Sequence, residues 1–164
     1  MTTVESIALS AGIAGVLDIA ATGTVMRTQG VPFQKLLQFV ASGMLGSRAF
    51  EGGGSTAAIG IVLHFLIAAA WAVNYFVLTS RVQTMLALPW AFGALYGVVV
   101  HVVMSRAVVP LSRAAKRPFA WKAWLIQLMI HMLCVGIPIA VVQTRCITGR
   151  NLRSSSECWA SCRS

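Results

Sequence analysis

Four apolar runs, each long enough to cross a bilayer, constrain this chain more than any other feature of its sequence. They extend over about Ser6 to Met26, Ser55 to Thr79, Leu88 to Val109 and Lys122 to Gln143. At about 1.5 Å per residue each spans roughly the 30 Å of a hydrocarbon core. A backbone in lipid has no water to bond, so each run must satisfy its own N–H and C=O groups as a helix. The expected fold is therefore an all-α polytopic membrane protein with four transmembrane helices in a bundle, covering residues 1–143. Composition agrees: 57% of residues are hydrophobic, 10% are charged and the mean hydropathy is +0.78, too few charges to cover a water-soluble surface. A chain of 164 residues has room for four spans and short loops, which excludes a large single-chain transporter. The first run lacks a basic n-region and carries Asp18 inside its apolar stretch, so it reads as a retained span and not as a cleaved signal.

Between the first two runs, residues 32–50 (PFQKLLQFVASGMLGSRAF) interleave apolar residues with Gln34, Lys35, Gln38, Ser42 and Arg48. This segment is too short to span. Leu36, Leu37, Phe39, Val40, Met44 and Leu45 fall broadly on one helical face, which predicts an interfacial or re-entrant amphipathic helix. The following Glu51-Gly52-Gly53-Gly54-Ser55 reads as a turn, with Ser55 as the N-cap of the second span. Its glycines lack the Lys and the spacing of a phosphate loop.

Thirteen Lys and Arg stand against four acids, Glu5, Asp18, Glu51 and Glu157. No nucleic-acid-reading motif accompanies this charge, so anionic lipid head groups are the expected partner and nucleic acid is not. Arg27, Lys35, Arg48, Arg113, Lys116, Arg117 and Lys122 fall on the side reached after spans one and three, against Arg81, Arg145, Arg150, Arg153 and Arg163 on the other. Seven against five places both termini outside and the two long loops in the cytoplasm of a cell's inner membrane. Arg113, Lys116 and Arg117 form a basic loop suited to lipid contact. Trp90, Trp121 and Trp124 lie at span ends as interfacial anchors, and Tyr75 and Asn74 read as interfacial too.

Residues 144–164 are polar, basic and serine-rich, and are expected to form a disordered tail. Cys158 and Cys162 would close a short loop if exported, but Cys134 lies within a span and Cys146 at its edge, so the four cysteines make no framework. No CxxC is present, which removes the usual thiol-redox and zinc-ribbon readings.

Each span carries one ionisable residue away from its ends: Asp18, His64, His101 and His131. Such groups are costly in lipid and face protein or water. Each also lies on a small or polar stripe, with Ala11, Gly15 and Thr22 in span one, Ala57, Gly60 and Trp71 in span two, Gly93, Gly97 and Ser105 in span three, and Gln127, Cys134 and Pro138 in span four. Counted with the sign of each helix's direction, all four lie roughly 2 to 5 Å from mid-span toward the predicted cytoplasmic side. They are expected to form one buried polar layer.

Four roles for the layer stay open: a hydrogen-bonded core that fixes helix register, a zinc or iron site of three imidazoles and a carboxylate, a haem held by His101 and His131, and a proton relay in a small transport component with Asp18 as acceptor. The sequence requires no cofactor and names no reaction. Pro138 should bend span four.

The small-residue motifs Ala11-Gly12-Ile13-Ala14-Gly15 with Asp18, Ala41-Ser42-Gly43-Met44-Leu45-Gly46 with Ala49-Phe50, His64-Phe65 with Ala68 and Tyr75, and Gly93, Tyr96-Gly97 and Pro110-Leu111-Ser112 resemble those of small bacterial inner-membrane proteins of the YagU-like kind. The resemblance covers about residues 8 to 143. It implies a multi-pass helical protein and no mechanism. The expectation is a membrane protein that acts through helix packing, with a second copy or a membrane partner.

Overall fold

The computed structural model describes residues 2–115 and 120–161, with side chains described as far as Gly149. Helix α1 (Thr3–Thr28) opens on a capping box: Thr2 Oγ1 accepts from the Glu5 N–H at 3.2 Å, and the Glu5 carboxylate accepts from the Thr2 N–H at 2.9 Å. Two orphan donors of the first turn are thereby satisfied. The chain turns at Gly30, whose φ of 77° is cheap only for glycine, into α2 (Phe33–Leu45).

A short 3₁₀ turn, Gly46–Phe50, leads to α3 (Gly53–Arg81). The N-cap here is Gly52, not the expected Ser55, whose hydroxyl donates back to the Gly52 carbonyl at 3.0 Å. The helix begins before Ser55 because other groups tie down its first turn. Gln38 Nε2 donates to the Gly53 carbonyl at 3.1 Å, and Thr56 Oγ1 donates to the Ala49 carbonyl at 2.6 Å.

Helices α4 (Pro89–Leu111) and α5 (Trp121–Gly149) complete four helices long and apolar enough to cross a membrane. Each contains a π turn, Met104–Val108 in α4 and His131–Gly136 in α5, two residues before a proline, Pro110 and Pro138. A proline ring clashes with the carbonyl four residues back, which is Arg106 or Cys134. In both cases that residue lies inside the widened turn, where the π geometry makes room.

The α5 backbone continues helically to Ser161. This departs from the disordered tail expected from Thr144 onward. Thr144 is buried, no proline follows Pro138 to stop the helix, and each further residue adds one hydrogen bond to a helix already nucleated. Cys162 and the basic-loop residues Lys116 and Arg117 lie outside the described residues, and the Cys158 side chain outside the described side chains.

The helices pack in the order α3, α1, α5, α4, with α2 laid against α3. Small residues permit this. A Cβ on Gly136 would overlap the Gly93 carbonyl, and one on Gly60 would overlap the Leu37 carbonyl of α2. The core gathers Ala11, Ala14, Ala72, Tyr75, Tyr96, Val100, Val135, Ile139 and Ala140. Tyr75, expected at the interface, is wholly buried, because α3 runs on to Arg81 and leaves Tyr75 edge-on to Tyr96 at 4.9 Å. Outward faces are apolar, as with Val16, Val62, Leu66, Leu95 and Leu133. Such a surface would be an aggregation hazard in water and is the natural one in lipid. This is a multi-pass membrane protein built as an all-α bundle.

Candidate functional site

The two halves of the bundle differ. In the half nearer the chain termini, polar side chains bond from helix to helix, although Gln143 Oε1, Tyr75 Oη and Thr144 Oγ1 are buried there without a partner. Gln143 of α5 is buried and its Nε2 donates both to Ser10 Oγ of α1 at 3.1 Å and to the Ala72 carbonyl of α3 at 2.8 Å. Tyr96 Oη of α4 donates to the Trp71 carbonyl at 2.7 Å and to Asn74 Oδ1 at 3.0 Å, so it clasps α4 to α3. Neither knot was anticipated from the sequence, where Gln143 marked only the end of a span.

Toward the α2 end the helices line a partly open cavity of about 400 Å³. It is within the usual size range for a small-molecule pocket. Asp18, His64, His101 and His131 all line it, one from each spanning helix. Its other walls are mainly apolar. Leu36, Phe39 and Val40 of α2 close one side, and Trp71, Val100, Met104 and Val135 face it from the spans. The amphipathic helix is thus a wall of the site. The sequence pointed to a bilayer surface for that apolar face; instead Leu36, Leu37, Gln38, Ala41 and Ser42 are buried, while Met44 and Leu45 stay exposed.

The four ionisable residues form two pairs. His64 Nε2 lies 2.9 Å from the Gly15 carbonyl and 4.0 Å from Asp18 Oδ2. A carbonyl only accepts, so the proton sits on Nε2 and is donated to Gly15. His131 Nδ1 likewise donates to the Gln127 carbonyl, at 2.8 Å, which leaves the Nε2 of a neutral ring as an acceptor. Its ring lies 5.1 Å from that of His101, and the His101 ring meets Trp124 edge-on at 4.7 Å. Trp124, expected as an interfacial anchor, is turned inward by this contact, whereas Trp90 and Trp121 are exposed at helix ends. One turn from the layer, Gln127 Nε2 donates to Thr22 Oγ1 at 3.1 Å, tying α5 to α1.

Three buried polar atoms in this neighbourhood have no partner: Asp18 Oδ1, His101 Nε2 and Trp124 Nε1. His101 is 3% exposed. An unmet buried donor or acceptor costs about 1 to 3 kcal/mol, and a cluster of them calls for a reason. Among the described residues no three His, Cys, Asp or Glu side chains converge as metal ligands. The rings of His101 and His131 are tilted by 53° to each other. The chemistry the geometry offers is recognition: a polar end of hydrogen-bonding groups beneath apolar walls. No protein-family model, curated protein or solved structure matches this chain, so the likeness to YagU-like proteins rests on its motifs alone.

Proposed function

We propose that this chain is an inner-membrane protein that binds a small amphiphile within the bilayer, its polar end among Asp18, His64, His101 and His131 and its apolar body against α2. The carrying observation is the cavity of about 400 Å³ that all four residues line, with buried polar atoms left unmet beside it. Buried unmet atoms occur in the opposite half too, at Gln143, Tyr75 and Thr144, but there the helices are in contact, whereas a core that only fixed register would leave no cavity between Asp18, His64, His101 and His131. Both termini lie outside the cell and the α2 end faces the cytoplasm, as the seven-to-five basic count supports. There Arg113, exposed and with its backbone N–H donating to the Gly43 carbonyl at 3.0 Å, belongs to a basic loop that meets anionic head groups.

Native mass spectrometry of the full chain, titrated with decanol from a neutral detergent, tests this reading. A saturable one-to-one adduct is expected, and Val40→Trp, which puts a large ring into the cavity, should abolish it. Adducts that never saturate, or that persist unchanged in Val40→Trp, would place the binding on the outer surface and overturn the proposal.

A further inference from the structure

The polar end of the cavity is rich in acceptors and poor in cations. Asp18 Oδ1 is buried without a partner, and among the described residues the only basic side chain within ion-pair distance of the carboxylate is His64, at 4.0 Å. That imidazole's Nε2 N–H is donated to the Gly15 carbonyl at 2.9 Å, much closer than the carboxylate, so it leaves Asp18 Oδ1 unmet. His131, held through Nδ1 on the Gln127 carbonyl, turns its acceptor nitrogen away from that bond. His101 Nε2, on a side chain almost wholly buried, has no partner. The other acids are elsewhere: Glu5 caps α1, Glu51 lies in the turn before α3, and the Glu157 side chain is outside those described.

We infer that the cavity's occupant is a cationic amphiphile, an amine on an apolar body, with Asp18 as its counter-ion. This rests on the amphiphile-binding reading above and names the head group. An alkylammonium brings N–H donors and a positive charge to a place that offers a carboxylate and imidazole acceptors. A carboxylate or phosphate head would meet the Asp18 charge with no cation to offset it, and a hydroxyl would bond the carboxylate without bringing a charge to neutralise it.

The test compares decylamine, decanol and decanoate at pH 7, matched in chain length, against the full chain in the same native mass spectrometric titration. Decylamine should bind about 10-fold more tightly than decanol, the ratio expected when a charged donor replaces a neutral one on the Asp18 carboxylate, and decanoate most weakly. Asp18→Asn should weaken decylamine about 10-fold and decanol much less, so that the two bind alike. If decanol equals decylamine in the wild type, or decanoate binds best, the cationic head group is wrong while the amphiphile site stands. If none of the three saturates, the site itself is refuted. Should Asp18→Asn fail to fold, the wild-type order of the three ligands still decides.

Discussion

At the residue scale, similar polar side chains do opposite work according to what faces them. Gln143 and Asp18 each keep a buried oxygen without a partner, but Gln143 gives its amide N–H groups to Ser10 and to the Ala72 carbonyl, joining three helices, whereas Asp18 reaches another helix only at the 4.0 Å that separates it from His64. The imidazoles His64 and His131 rest on backbone carbonyls and do not depend on Asp18. Gln143→Leu should therefore lower the stability of the bundle by about 1 kcal/mol, from two interhelical bonds of about 0.6 kcal/mol each. Asp18→Leu should leave stability unchanged or raise it, since a carboxylate at this depth costs up to about 2.5 to 3.5 kcal/mol. Reversible unfolding of both variants in bicelles measures the difference. A loss in Asp18→Leu as large as in Gln143→Leu would make Asp18 a packing residue.

At the element scale, α4 and α5 approach so closely because glycines stand where they meet. A Cβ on Gly97 would come within 2.5 Å of the His131 carbonyl oxygen, and one on Gly93 within 2.8 Å of the Ile137 Cα. Both contacts are with backbone, which has little room to yield. Gly12 of α1 has nothing within 4 Å of an added Cβ. Gly97→Ala is expected to destabilise by about 1 to 3 kcal/mol through overpacking, while Gly12→Ala should stabilise by about 0.5 to 1 kcal/mol through helix propensity. The same bicelle unfolding reports both, and equal effects would mean that α4 and α5 do not meet on this glycine face. The glycines and their spacing were legible in the sequence as a small-residue stripe. The π turns were not, because Pro138 announces a defect in α5 without fixing whether the helix kinks or widens, a choice made by the neighbours that accept the displaced carbonyls.

At the scale of the whole molecule, the α2 end should lie in the cytoplasm. With native cysteines replaced, a single cysteine introduced at Gln34, which is exposed on α2, should resist a membrane-impermeant maleimide in intact cells and react after permeabilisation, and labelling in intact cells would invert the topology. Four spans, an amphipathic connecting helix and one ionisable residue per span follow from the sequence alone, because length, hydropathy and helical period are local properties of a chain in lipid. The sequence also placed Asp18, His64, His101 and His131 at similar depth, since rise per residue is fixed. Only the tertiary structure decided that α2 folds against α3 and walls a cavity, that Trp124 turns inward onto His101, and that the four residues divide into two pairs with unmet atoms beside them. Depth along a helix is set by counting residues, but rotation about its axis and the gap to the next helix are set by which small side chains interlock, and that is a property of pairs of helices that no single stretch of sequence contains.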